Sequence, residues 1–255
     1  MSDREAHFVQ SLERGLAVIR AFDAQRPELT LSEVARHCDL TRAAARRFLL
    51  TLADLGYVRT DGRLFRLTPR VLELGYAYLS SLSLPEVAAP HLERLVAEVH
   101  ESSSMSVLDG DDIIYVARVP TARIMTVAIN VGTRFPAYAT SMGRVLLAAL
   151  PSSELSAYLG RVRLEPLAPR TITSPEALRA ELERVSAQGW AIVDQELEAG
   201  LRSVAAPVRD RAGTTVAAIN VSVHASRTTL DGIRRKLVPP LRAAAAAIER
   251  DLAVS

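Results

Sequence analysis

The sequence predicts an α+β protein in two parts, and two observations carry the prediction. Three amphipathic helix patterns and one hairpin pattern fill the first 67 residues. After Pro85 the pattern changes to pairs of apolar strands joined by tight turns, with helical stretches before, between and after them. A chain of 255 residues, 49% hydrophobic and 24% charged, has room for two domains with separate cores.

Taken in order, Leu12, Leu16, Ile19 and Phe22 in LERGLAVIRAFDA recur at helical spacing, with Ser11 as the candidate N-cap. PELT at 27–30 reads as a break, and Ser32 as the cap of a short helix that buries Val34 and Cys38. Thr41 caps a third helix running to Leu55, with Gly56 placed to end it. Tyr57-Val58-Arg59 and Leu64-Phe65-Arg66-Leu67 read as strands around an Asp61-Gly62 turn. Three helices and a hairpin make a winged helix-turn-helix, which places a first domain at 1–67. TPRVLELGYAYLSSLSL predicts a linker helix at 68–84, and a second domain follows at 85–255.

In that second domain the pattern predicts a helix over 86–100 and a hairpin turned at Asp109-Gly110. A strand IMTVAIN, helices over 141–150, 152–160 and 175–188, and a strand WAIVD come next. A second hairpin turns at Arg211-Ala212-Gly213, and one helix covers 229–252.

Composition narrows the function. The single cysteine, Cys38, excludes an internal disulfide framework and a multi-cysteine zinc site. The start MSDREAHFVQ has no basic and apolar leader pattern, and no stretch approaches ~18 apolar residues, so a cytoplasmic protein with no membrane partner is expected. Basic residues are 30 Arg and Lys236, so arginine abundance carries no signal and placement must. Residues 42–66 hold six Arg against Asp54 and Asp61, while residues 67–255 hold 20 basic and 20 acidic residues, which cancel. The excess is local to the third helix and the hairpin.

On a helical wheel Ala45, Phe48, Leu49, Leu52 and Leu55 share one side of that helix, and Arg42, Ala43, Arg46 and Arg47 the other. A charged helix face is ordinarily just solvated. Here small residues lie between the arginines, a compact turn precedes the helix, and Arg59, Arg63 and Arg66 follow on the hairpin. That footprint suits a duplex phosphate backbone, and arginine's planar fork can also read guanine.

These residues resemble the IclR-type bacterial transcription regulators. The matching stretches are FVQSLERGLAVIRAF, LTLSEVARHCDLTRAAARRFLLTLADLGYV and DGRLFRLTPRVLELGYAY, then VGTRFPAYATSMGRVLLA, GWAIVDQELEAGLRSVAAPV and VAAINVSVHASR. Within the family the chain is similar to regulators of aromatic-acid catabolism in the β-ketoadipate branch. The resemblance implies a winged helix-turn-helix, a linker helix used in dimerisation and a GAF-like antiparallel-sheet effector domain. It further implies homodimers or dimers of dimers on palindromic operator DNA. The expected effector is a small carboxylic acid such as β-ketoadipate or protocatechuate, acting on the spacing of two DNA-binding domains or on contact with RNA polymerase. It also implies a recognition helix beginning at Thr41, with Arg42, Ala43, Arg46 and Arg47 as its exposed face and Ser32 and Arg63 as backbone contacts.

The resemblance places an effector pocket at Ser141 and Met142, at Val193, Asp194 and Glu196, at Leu201 and Ser203, and at Asn220 and Ser222. Ser141 near a helix start offers a hydroxyl where free N–H groups favour an anion. Asn220 and Ser222 are two apart and share a strand face, either turned inward or simply solvated. Arg134 and Arg202 are candidate carboxylate partners, Arg202 leaning toward a structural bridge with a nearby acid. Tyr138 could stack on a ring, though core packing fits it better.

An enzyme and a ligand-free architectural DNA-binding protein are the competing classes. The chain has no Gly-x-Ser-x-Gly, no P-loop and no Gly-x-Gly-x-x-Gly, and its five histidines show no metal-ligand spacing. No catalytic residue, metal or cofactor is therefore expected.

Overall fold

The computed structural model describes residues 8–74, 83–121 and 129–253, and the chain divides into two compact units, Met1–Ser81 and Leu82–Ser255. The first unit runs α1 (Gln10–Arg20), β1 (Leu29–Thr30), α2 (Leu31–His37), α3 (Arg42–Asp54), β2 (Val58–Thr60) and β3 (Leu64–Leu67). Val18, Phe22, Val34, Ala45, Leu49, Leu52, Val58 and Phe65 form its core. The predicted apolar side of α3 packs inward except for Leu55, which stays half exposed, while in the α1 pattern Ile19 and Phe22 pack inward but Leu12 and Leu16 of the same predicted face stay exposed.

Two local expectations need correction. Val9 precedes α1 without a side-chain cap, so Ser11 sits inside its first turn. Thr30, not Ser32, caps α2: its hydroxyl accepts from the Glu33 amide at 3.3 Å, and the Glu33 carboxylate accepts from the Thr30 amide at 2.8 Å. This reciprocal pair satisfies two first-turn donors that a lone serine one turn on could not. The same residues pair as a strand, Leu29 opposite Phe65 and Thr30 opposite Leu64, giving a three-stranded sheet of order β1-β3-β2. The predicted linker helix begins after a 3-10 turn at Pro69–Val71, and residues 75–82 lie outside the described residues.

The second unit runs α4 (Ser83–Val99), β4 (Ser102–Asp109), β5 (Asp112–Val119), β6 (Arg134–Pro136), α5 (Ser141–Ala148), α6 (Ser152–Arg161) and α7 (Pro175–Gln188). It continues with β7 (Ala191–Asp194), β8 (Leu201–Arg209), β9 (Thr215–His224), α8 (Leu230–Lys236) and α9 (Val238–Leu252). Its strands form one antiparallel sheet of order β6-β5-β4-β9-β8-β7. Strand alternation splits β9 between two cores. Ile219, Val221 and Val223 pack with Leu92, Leu241 and Ile248 of α4 and α9. Ala218 packs on the opposite face with Met142, Leu146 and Leu182 of α5 and α7.

Both predicted hairpins form. The helix expected from residue 86 begins at Ser83 and takes Pro85 into its first turn, where a missing N–H costs nothing. The expected strand IMTVAIN falls on residues 124–130, of which 124–128 are outside the described residues and 129–130 are not in a strand. Arg134–Pro136 supplies the sheet edge instead. The single helix expected over 229–252 is broken at Leu237, because Pro239 and Pro240 have no N–H to continue the ladder and fit only a new first turn. Among the described residues no helix is long and apolar enough to cross a membrane.

Candidate nucleic-acid interface and buried cavity

In the first unit the Thr41 hydroxyl accepts from the Ala44 amide at 3.2 Å, fixing where α3 starts. Arg42, Ala43, Arg46 and Arg47 are all exposed, as is Ser32 in the first turn of α2. The short turn between α2 and α3 carries Asp39 at φ 50°. On the hairpin the Asp61 carboxylate accepts from the amides of Arg63 and Leu64 at 2.9 and 2.8 Å, and these bonds hold its pKa below the usual value. Gly62, at φ 94°, completes the turn and leaves Arg63 exposed at its tip. Of the hairpin arginines, Arg66 is tied to Glu28 at 3.0 Å. Arg42, Arg46, Arg47, Arg59 and Arg63 make no ion pair among the described residues. Five solvated guanidinium groups without an ion pair form a field suited to polyanion contact.

In the second unit a narrow cavity, with room for about one water-sized sphere (≈ 10 Å³), lies between the inner face of the sheet and the start of α5. The Thr140 hydroxyl caps α5 by accepting from the Gly143 amide at 3.1 Å. Gly143 is required there, because a Cβ would sit 2.1 Å from the Ala137 carbonyl oxygen. This close approach presses the helix start onto the 3-10 turn at Ala137–Ala139 and aims Ser141 and Met142 at the cavity. The Ser106 hydroxyl lies 3.3 Å from the Met142 sulfur. Among the described residues the hydroxyl of Ser141, 1% exposed, has no hydrogen-bond partner, as is also true of the Tyr158 hydroxyl. A buried unpaired hydroxyl costs about 1–3 kcal/mol, and Ser141, which lines the cavity, can bond to a molecule there.

The sheet supplies the opposite wall. Asn220 and Ser222 are 2% and 5% exposed, which excludes a merely solvated strand face. Asn220 accepts from the Ser104 amide at 3.0 Å and donates to the Ser222 hydroxyl at 3.1 Å. The pair is thus largely satisfied by the protein, and the Ser222 hydroxyl proton remains to be offered. Val193, Leu201 and Ser203 complete this wall. The cavity therefore gathers Ser141, Met142, Val193, Leu201, Ser203, Asn220 and Ser222 of the anticipated residues.

Five others lie elsewhere, each for an electrostatic or packing reason. Arg134 is on edge strand β6, paired with Asp109 at 2.5 Å and Asp112 at 3.2 Å. Tyr138 is buried outside the cavity lining, with its hydroxyl donating to the Glu165 carbonyl at 3.0 Å. Asp194 is engaged by Arg170 and Arg202. Burial alone would raise its carboxyl, but hydrogen bonds from Arg202 and Gln195, with the charges of Arg202 and Arg170, hold it below the usual value. Glu196 forms a two-pronged pair with Arg144, at 2.8 and 2.5 Å, and also accepts from the Ile172 amide at 3.2 Å. Arg202 is committed in the same way, donating further to the carbonyls of Ala225 and Thr228.

The cavity also takes Tyr115, Ile129, Ala139, Thr140 and Leu197, which the sequence did not single out. Burial pushes the Tyr115 hydroxyl up to about 12, opposed by the nearby charge of Arg118. Its ring meets Phe135 edge-to-face at 5.9 Å. A tyrosine on an apolar strand has no signal that separates core from cavity; only the sheet register does. Among the described residues no group of three His, Cys, Asp or Glu is placed to hold a metal ion.

Comparison with known proteins agrees with this division. Residues 11–62 match the IclR helix-turn-helix domain, and residues 76–250 match the bacterial transcriptional regulator IclR C-terminal domain. The Pca regulon regulatory protein of Pseudomonas putida is 48% identical over 93% of this chain and 82% of its own length. A crystal structure of a chain from Rhodococcus sp. RHA1, assigned as a transcriptional regulator, is 62% identical with a TM-score of 0.88, covering 96% of this chain and 98% of that one. An IclR homolog from Microbacterium hydrocarbonoxydans, solved with 4-hydroxybenzoate, is 28% identical with a TM-score of 0.85, covering 96% and 100%. A helix-turn-helix unit with a free arginine face, a cavity-bearing antiparallel-sheet unit and matches across nearly the whole length have one reading: the chain belongs to the IclR family of bacterial transcriptional regulators.

Proposed function

We propose that this regulator binds palindromic operator DNA as a homodimer or dimer of dimers, and that a small carboxylic acid in the cavity of its second unit changes its hold on the operator. The acid belongs to aromatic catabolism: 4-hydroxybenzoate, protocatechuate or β-ketoadipate. The protein works in the cytoplasm as a sensor and catalyses no reaction. The observation that carries the reading is the Ser141 hydroxyl, buried, unpartnered and aimed into a cavity at a helix start. A helix start offers free N–H groups to a polar end of an occupant, and the surrounding walls are mostly apolar.

On the DNA side, Thr41, Arg42, Ala43, Arg46 and Arg47 enter the major groove, while Ser32 and Arg63 hold the backbone. Residues 1–67, 68–84 and 85–255 serve as DNA-binding domain, linker and effector domain. The test is reciprocal titration of the full chain with promoter DNA from its own locus. One of the three acids shifts operator affinity, and operator DNA shifts the affinity for that acid by the same factor. Acid affinity that is indifferent to saturating operator, or an acid that leaves operator affinity unmoved, refutes the linkage.

A further inference from the structure

Taking the effector cavity as read above, the structure leaves open which group balances the charge of an acid inside it. The two arginines that the sequence offered are both spent, Arg134 on Asp109 and Asp112, and Arg202 on Asp194. Arg144, at the start of α5, is closed off by Glu196. A different arginine stands in the right row of the sheet.

Arg118 on β5 lies directly across from Ser104 on β4, and Ser104 lies directly across from Asn220 on β9. Residues paired in this way project from the same face, so Arg118 belongs to the face that bears Asn220, just beyond the residues that line the cavity itself. Adjacent strands are about 4.8 Å apart, a span that an arginine side chain crosses. It does so here: one guanidinium nitrogen reaches the Ser104 hydroxyl at 3.4 Å, leaning toward β9. Its charge is also felt at Tyr115, which lines the cavity.

Arg118 is partly buried, and burial lowers its pKa. Among the described residues no carboxylate pairs with it. Arg134, Arg144, Arg170 and Arg202, the other arginines near the cavity, each end on an acid. A desolvated guanidinium with only a neutral hydroxyl for company is incompletely compensated, and a carboxylate is the group that completes it.

We propose that Arg118 is the specificity-determining cation of the effector cavity, receiving the carboxylate of the effector at the Ser104–Asn220 end while the opposite end of the molecule meets Ser141. The acid is thereby distinguished from a neutral molecule of the same shape, and the effector must carry a polar group at each end.

The experiment compares full-length wild type with Arg118→Gln and Arg118→Lys. Calorimetric titrations use 4-hydroxybenzoate, protocatechuate and β-ketoadipate, each beside its carboxamide. Wild type prefers an acid to its amide. Arg118→Gln weakens that acid by about 10- to 100-fold and leaves the amide within about twofold, and Arg118→Lys recovers part of the preference. Unchanged acid binding in Arg118→Gln, or equal weakening of acid and amide, overturns the assignment while the cavity remains the effector site. Wild type that binds none of the three acids overturns the cavity reading, and this assignment with it.

Discussion

Arginine serves opposite ends in the two units of this chain. In the first unit Arg42, Arg46, Arg47 and Arg63 stand in water and make no ion pair among the described residues. In the second unit Arg134, Arg144, Arg161, Arg170, Arg202 and Arg227 each end on a carboxylate. An unpaired solvated guanidinium keeps its charge available to a partner that arrives later. A paired one has given that charge to the fold, and when buried it cannot be released cheaply. The same residue type leaves an unpaired charged face in one unit and closes a seam in the other, and only its neighbours tell which.

The sharpest way to break that comparison is at Arg144, which is 1% exposed. Removing its main partner in Glu196→Ala leaves that buried charge with only Glu181, at 3.7 Å, and should cost on the order of 3 kcal/mol in a urea titration. A loss below about 1 kcal/mol would mean that the seam is no more cohesive than a surface pair. Next in size is Arg46→Ala, which should weaken operator binding by about 1–3 kcal/mol and relax sequence preference. Arg63→Ala should instead weaken all DNA alike and lower the salt slope by about 1. Arg134→Ala, exposed but already paired, should leave DNA affinity unmoved. Binding measured at several salt concentrations separates the three variants, and identical behaviour would erase the distinction between free and paired arginine.

The smallest effect concerns pH. The Asp194 carboxyl is held below its ordinary value when folded, so its contribution is present above about pH 4 and is lost as pH falls through the folded value. Asp194→Asn should therefore flatten the acid limb of the stability curve, while the wild type declines more steeply. Parallel acid limbs for the two proteins in thermal melts would show that Arg170 and Arg202 add nothing there.

The exposed arginine face of α3 was legible because it is a local matter. Periodicity along α3 decides which side packs, and Arg42, Ala43, Arg46 and Arg47 are what remains outside. The cavity was legible only in part. Alternation along β9 pairs Asn220 with Ser222, and the resemblance points to Ser141, Met142 and Ser203. What sequence could not reveal is which distant acid claims which arginine. Arg144 and Glu196 are 52 residues apart, and Arg134 and Asp109 are 25 apart. Arg118 and Tyr115 were missed for the same reason, since β4 joins their strand to β9 by register alone. The strands β1 and β6, two and three residues long, have no pattern of their own and exist through their partners.

The absent side chain at position 143 has a consequence for how such a sensor changes its taste. With the helix backbone seated against the carbonyl of Ala137, that wall can neither retreat nor be retooled by point substitution at the contact. Divergence toward a new metabolite must therefore be written on the opposing sheet, at alternate positions of its strands, while the helix stays fixed as the anvil against which each new shape is tried.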